Sequence, residues 1–82
     1  MSKVKTNVRP LNVIAQEIVK EWNNVHEFAK PYLAAMLTLP TIEDNYILDS
    51  GREIVARFLG NAGTWRGETA RRVKKELNAM LK

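Results

Sequence analysis

The chain has 82 residues and a mass of 9.4 kDa, with 45% hydrophobic residues, 27% charged residues and a formal net charge of +4. This length accommodates one domain, and the composition is typical of a folded globular protein rather than a disordered chain. The absence of cysteine excludes disulfides, thiol nucleophiles and cysteine-ligated metals. The longest apolar run, residues 32–37, is far shorter than the ~20 residues of a membrane span.

The charge is unevenly distributed along the chain. Residues 1–9 and 64–82 are basic, whereas residues 38–50 are acidic because they contain Glu43, Asp44 and Asp49 and no basic side chain. We predict a flexible basic tail over residues 1–9 and a single helical domain over residues 10–82. The basic start is not followed by the ~7–15 apolar residues of a signal peptide, so we expect a cytoplasmic protein and no membrane partner.

The first half of the domain contains two predicted helices. Pro10 suits the first position of a helix, and apolar residues then recur at helical spacing on one face as far as Ala29. Pro31 ends this helix and opens a second one over residues 31–38. The second helix is apolar on nearly all sides, which is typical of a helix at the centre of a core.

The second half contains an acidic connector and two further helices. The connector, residues 41–49, has at most one short turn capped by Thr41, and the capping-box pattern of Ser50 and Glu53 then starts the third helix. Thr64 caps a fourth helix that runs to the C-terminus, and no segment shows the alternation of a strand. The sequence therefore predicts an all-α fold, a single small bundle of about four helices, with a core that includes Trp22, Tyr32, Met36, Ile54, Phe58, Leu59, Val73 and Leu77.

The residues that catalysis or metal binding would need are scarce. Ser2 lies in the tail, Ser50 is used as a cap, and the single histidine, His26, is interpreted as a partly buried structural side chain. Glu17 and Glu21 share a helical face, but they point away from the apolar side and favour a solvated surface over a metal site. The acidic connector lacks the ligand spacing of a calcium loop. We expect no enzyme activity, no metal, no cofactor and no small-molecule substrate.

The fourth helix is the most basic element of the sequence. Arg72 is expected to be neutralised by Glu68 and Glu76 at i,i+4 spacing, whereas Arg71, Lys74 and Lys75 are left as candidate nucleic-acid contacts. A solvated face is the favoured interpretation of these cations. Contact with nucleic acid or with a membrane surface is the alternative, and the registers tested for a helix-turn-helix motif do not fit.

Residues 61–68 form the least ordinary stretch of the sequence. Gly67 is predicted inside the first turn of the fourth helix, where glycine costs up to ~1 kcal/mol relative to alanine. Trp65 and Arg66 are residue types that dominate binding hot spots, so they are the candidate protein contact. The favoured alternative is that Trp65 closes one end of the core.

A family resemblance arises from several short motifs spread over roughly residues 11–82. The chain resembles a group of short uncharacterised proteins that are encoded mostly by phages and integrated mobile elements of Gram-positive bacteria. The motifs are Pro31-Tyr32-Leu33, Ala35-Met36, Phe58-Leu59, Asn61-Ala62, Thr64-Trp65-Arg66-Gly67-Glu68, Ala70-Arg71 and Glu76-Leu77. The resemblance implies a small cytoplasmic protein and supplies no catalytic or binding residues.

Two function classes remain after these exclusions. The first is a protein-interaction or accessory module that binds a protein partner or a second copy of itself through a contact around Trp65 and Arg66. The second is an accessory protein that binds nucleic acid weakly through Arg71, Lys74 and Lys75 on its C-terminal helix.

Overall fold

The computed structural model describes residues 9–82. This part of the chain contains four helices, α1 (Leu11–Glu21), α2 (Lys30–Met36), α3 (Gly51–Gly60) and α4 (Glu68–Leu81), and one small hairpin made of β1 (Asn45–Tyr46) and β2 (Asp49–Ser50). The prediction of a small all-α bundle of about four helices is confirmed. Most of the predicted tail lies outside the described residues, and only Arg9 can be placed.

Helix α1 is shorter than the sequence predicts. It ends at Glu21, and Trp22 already has an extended backbone with φ −101° and ψ 94°. The prediction that the helix continues to Pro31 is wrong. Two adjacent asparagines with weak helix propensity follow Trp22, and the turn lets the indole of Trp22 pack edge-on against Phe58. Residues 22–29 then form a turn segment that brings Ala29 into the core.

Helix α2 buries one face rather than all of its surface. Leu33, Ala35 and Met36 are buried, whereas Ala34 and Leu37 are exposed. The prediction of a helix surrounded by the core is therefore wrong in this respect, because α2 packs mainly against α1 and α3 and leaves its outer side to solvent. After α2, the carbonyl of Pro40 accepts a hydrogen bond from the backbone N–H of Leu11, which ties the end of α2 to the start of α1.

The short turn capped by Thr41 that the sequence allowed is present in the acidic connector, since the Thr41 hydroxyl accepts a hydrogen bond from the backbone N–H of Glu43, and a hairpin that the sequence did not predict follows it. The carboxylate of Asp44 accepts hydrogen bonds from the backbone N–H and the hydroxyl of Thr41, at 3.1 and 2.9 Å. Asn45 then pairs with Ser50, and Tyr46 with Asp49, in antiparallel register. Sequence periodicity missed these strands because two residues are too few to show an alternation.

Helix α3 begins where the sequence places it. The hydroxyl of Ser50 accepts a hydrogen bond from the backbone N–H of Glu53, which confirms the cap. The reciprocal half of the predicted capping box is wrong, because the side chain of Glu53 accepts a hydrogen bond from Arg57 one turn later rather than from the backbone N–H of Ser50. Gly51 lies so close to the preceding turn that an added Cβ would be 2.6 Å from the carbonyl oxygen of Ile42. This close approach packs the start of α3 directly on the Thr41–Asp44 turn.

Helix α4 starts at Glu68, three residues later than the predicted cap at Thr64 implies. Gly67 is its N-cap residue rather than part of its first turn, and its φ of 114° lies in a region that favours glycine. The carbonyl of Gly67 accepts the first helical hydrogen bond, from the backbone N–H of Arg71. Residues 61–67 therefore form a loop between α3 and α4, and Trp65 belongs to this loop.

The core lies where the four helices meet. Most of the predicted core residues are buried, but Tyr32 and Leu59 are only partly buried and pack against its edge. Both side chains lie at the margins of the buried faces of α2 and α3. The largest fully buried side chains are Leu11, Ile14, Ile18, Met36, Val55, Phe58, Val73 and Leu77.

Candidate functional site

Trp65 is a core side chain in this structure. It is 4% exposed, and its indole stacks on that of Trp22 with ring centroids 5.6 Å apart and an angle of 12° between the planes. The Trp65 indole therefore closes one end of the core, which was the favoured alternative, and it offers almost no surface to a partner. The Trp65 side chain therefore cannot serve as the exposed centre of a protein contact, as the sequence analysis proposed. Of the predicted pair, only Arg66 is exposed.

Arg66, Arg71 and Lys74 line one open cleft beside the start of α4. The cleft has a volume of about 330 Å³, and Gly67 and Ala70 also line it. Its lining residues include three cations and no carboxylate. The structure thus groups two of the three predicted nucleic-acid contacts, Arg71 and Lys74, with a residue that the sequence assigned to a protein contact.

Lys74 is fixed by a backbone contact. Its ammonium donates a hydrogen bond to the carbonyl oxygen of Trp65 at 2.7 Å. Burial, together with the positive charge of nearby Arg66, lowers the pKa of Lys74 from its ordinary value. Lys74 therefore holds the loop of residues 61–67 against α4, and it differs from the freely solvated lysine that the sequence suggested.

Lys75 lies apart from this cleft. It is exposed and is not among the lining residues. Lys75 is four positions past Arg71 on α4, so it lies on the same face of the helix one turn beyond the cleft. Of the predicted group, Arg71 and Lys74 therefore line the cleft and Lys75 lies outside it.

A network of ion pairs joins the start of the domain to α4. Arg9 pairs with Glu17 and Glu76, each at 2.8 Å, and Arg72 also pairs with Glu17. The prediction that Arg72 is neutralised by Glu68 and Glu76 within its own helix is therefore wrong. The hydrogen bonds from Arg9, and then from Arg72, lower the pKa of Glu17 more than its partial burial raises it.

The same network corrects the prediction for the carboxylates of α1. Glu17 is partly buried between two arginines rather than on a solvated face, whereas Glu21 is exposed. His26 is exposed rather than partly buried, because α1 ends before reaching it, and its Nδ1 accepts a hydrogen bond from the backbone N–H of Phe28. Among the residues that the structure describes, no cluster of three or more histidine and acidic side chains is placed to hold a metal ion.

The tip of the hairpin carries two large apolar side chains that the sequence analysis did not single out. Ile47 is 81% exposed and Leu48 is 94% exposed, and these two residues form the connection between β1 and β2. Ile47 has a φ of 59°, which is costly for a β-branched residue. Glycine is the usual residue at such a position of a two-residue hairpin loop. An apolar pair inside an acidic connector was the sequence signal that could have revealed this feature.

Asp49 gives the tip a negative edge. It directly follows Leu48, is exposed, and has no cationic partner among residues 9–82. Glu43 is also nearby in sequence but pairs with Arg52 at 3.0 Å. The exposed surface of the hairpin therefore combines apolar side chains at its tip with one uncompensated carboxylate beside them.

Comparisons with protein-family models, with curated proteins and with solved structures find no match to this chain. Within residues 9–82, no helix combines the length and the apolar character needed to cross a bilayer.

Proposed function

We propose that this chain is a small, non-catalytic cytoplasmic protein that works as a protein-interaction or accessory module. The observation that carries the proposal is the exposure of Ile47 and Leu48 at the hairpin tip. The resemblance to proteins of phages and mobile elements fits an accessory role of this kind. The contact is thereby moved from Trp65, whose indole is buried, to the hairpin.

The energetics of the tip favour a role in binding over a role in stability. Ile47 occupies a backbone conformation that costs an L-residue roughly 1–2 kcal/mol, and the exposed side chain does not repay this cost within the monomer. Fully burying a side chain of this size is worth roughly 1.5–3 kcal/mol. Insertion of Ile47 and Leu48 into a pocket of a partner would supply that gain.

The chemistry of the tip favours one kind of partner. We expect a different protein with an apolar pocket edged by arginine or lysine. Asp49 would lie at the rim of that pocket, and it has no cationic partner among the described residues of its own chain, so a basic rim would pair with it. A second copy fits less well. An apolar groove of this chain, about 590 Å³ and lined by Pro10, Leu11 and Met80 among others, also has Arg9 and Glu43 in its lining. Both charges are already paired, Arg9 with Glu17 and Glu76 and Glu43 with Arg52, so the groove offers no free cation to an incoming Asp49.

The proposal is tested by photocrosslinking in the cells that naturally express the protein. A photoreactive amino acid replaces Leu48, and the matched control places it at Val19, which is 49% exposed on α1. We expect one discrete adduct with another protein from position 48 and none from position 19. The partner is then purified and titrated with the chain directly.

The direct titration decides the outcome. Ile47→Asn/Leu48→Ser should weaken binding at least about tenfold, since the lost burial exceeds 1.4 kcal/mol. Val13→Ser/Val19→Ser, which removes exposed apolar surface elsewhere, should leave binding unchanged. Equal binding of both double variants contradicts the proposal, as does the absence of any adduct specific to position 48. An adduct of twice the mass of the chain would instead identify a second copy as the partner.

A further inference from the structure

The arginines of this chain divide into two groups by their partners. Four of the six in the described part of the chain pair with carboxylates; these are Arg9, Arg52, Arg57 and Arg72. The two that pair with no carboxylate in that part are Arg66 and Arg71, and both line the cleft beside Gly67. Both guanidinium groups that lack a carboxylate partner within the described residues therefore lie in this cleft.

The surroundings of these two arginines increase the positive potential of the cleft. Lys74 also lines the cleft, and its ammonium uses one of its three protons to donate a hydrogen bond to the carbonyl oxygen of Trp65. Arg66 and Lys74 share the lining of the cleft, and the charge of Arg66, together with burial, lowers the pKa of Lys74 from its ordinary value. Repulsion between these like charges is relieved when an anion binds between them.

The backbone at the cleft also suits an anion. Gly67 is the N-cap of α4 and provides no side-chain hydrogen bond to the free N–H groups of the first turn. Gly67 and Ala70 line the cleft, so the positive end of the helix lies in its wall. The positive end of the helix adds to the positive potential of the three side chains, which contribute most of the charge of the cleft.

We propose that the cleft formed by Arg66, Arg71 and Lys74 binds the phosphate group of an anionic ligand. Two guanidinium groups can each donate paired hydrogen bonds to phosphate oxygens, and the ammonium adds a third charge. The cleft is small and open, so it holds a phosphate whose remaining structure lies outside it. Two sources share this chemistry, the phosphodiester backbone of a nucleic acid and a free phosphate ion or monoester.

This site is independent of the proposed protein contact. Arg52 follows the hairpin, and its Nη1 donates hydrogen bonds to the carbonyl oxygens of Met80 and Leu81, at 3.4 and 3.3 Å. The start of α3 just after the hairpin therefore lies near the C-terminal end of α4. The cleft lies at the N-terminal end of that helix, which has 14 residues and is therefore about 20 Å long. Variants of one site should leave the other unaffected.

The test uses the full chain with three probes: inorganic phosphate, a single-stranded DNA oligonucleotide and a DNA duplex. Binding is followed at low salt by the amide NMR shifts of Gly67 and Ala70 and by titration calorimetry. The variant is Arg66→Gln/Arg71→Gln. Its matched control, Lys20→Gln/Arg57→Gln, removes the same charge from exposed positions outside the cleft.

We expect at least one probe to bind saturably, with the largest shifts at Gly67 and Ala70. The cleft variant should lose roughly tenfold or more in affinity and the control much less, because phosphate is held by charge-assisted hydrogen bonds and not by net charge. If duplex DNA binds through two or three of these cations, log K should fall with log salt with a slope of about −2 to −3. Binding of both DNA probes without inorganic phosphate identifies the nucleic-acid backbone, and saturation by inorganic phosphate identifies the free ion or monoester.

Two results would overturn the assignment. One is the absence of saturable binding by any probe at low salt. The other is an equal loss of affinity in the cleft variant and in the charge-matched control, since that would show attraction to the net charge of the chain rather than a site. Circular dichroism of both variants checks that the fold is retained, which we expect because all four side chains are exposed.

Discussion

Trp22 and Trp65 stack on one another across the bundle, with their ring centroids 5.6 Å apart and their planes 12° from parallel. The first follows the end of α1 and the second lies in the loop before α4, so the pair joins two segments that are far apart in the sequence. Phe58 meets the Trp22 ring edge-on at 6.1 Å, which completes an aromatic cluster in the core. Offset stacks and edge-to-face contacts at such distances add to the stabilisation from buried area.

Replacement of Trp65 by phenylalanine should remove exciton-coupled circular dichroism from the indole pair while the fold is retained. Trp22→Phe should have the same spectroscopic effect, because either change leaves a single indole. Trp65→Ala should lower the free energy of unfolding by roughly 3–5 kcal/mol, measured by urea denaturation. A coupling signal that survives in either phenylalanine variant would show that the two rings do not stack.

The stability of the protein should depend on pH through Glu17. Its pKa in the folded state is held below the ordinary value of 4.5 by Arg9 and Arg72. Because the folded pKa is depressed, this stabilisation is fully present above about pH 4.5 and is lost as the pH falls through the folded pKa. Urea denaturation at successive pH values below 5 should show a smaller loss of stability in Glu17→Gln than in the wild type.

The exposed Glu21 provides a control for that experiment. It lies one turn further along α1 and forms no ion pair within the described residues. Glu21→Gln should therefore follow the wild-type profile below pH 5. A profile of Glu17→Gln that coincides with both would contradict the ion-pair network.

Ile47→Gly should stabilise the protein by about 1 kcal/mol. Glycine adopts a φ of 59° without the steric cost that isoleucine has there, and the exposed side chain contributes little packing. Leu48→Gly is the matched control, because Leu48 does not have a positive φ, and it should be neutral or slightly destabilising. Thermal and urea denaturation measure both changes, and a lower stability of Ile47→Gly would show that the side chain supports the fold.

Gly51→Ala should destabilise the protein by about 1–3 kcal/mol. The new Cβ would be 2.6 Å from the carbonyl oxygen and 2.9 Å from the carbonyl carbon of Ile42, and a backbone neighbour cannot move aside as a flexible side chain can. Gly60→Ala is the control within the same helix, since no atom lies within 4 Å of a Cβ built there. Gly60→Ala should be neutral or stabilising, because alanine has the higher helix propensity.

Local signals in the sequence were sufficient for the overall architecture. Apolar residues at helical spacing predicted the existence of all four helices, and the Ser50 cap marked the start of α3 correctly. Much of the core, including Met36, Phe58 and Leu77, also followed from that spacing. Such features are predictable because periodicity and capping depend on residues within about one turn of each other.

The candidate sites depended on the tertiary structure. Arg9 meets Glu76 across 67 residues of sequence, and Arg72 meets Glu17 across 55, so local spacing assigned Arg72 the wrong partner. The cleft likewise exists only because α4 begins after Gly67 and leaves Arg66 beside Arg71. Side chains distant in sequence meet only after the helices have packed. Helical periodicity therefore determined which residues lie on the apolar face of each helix. Tertiary packing decided which cations pair with a carboxylate and which, among the described residues, do not.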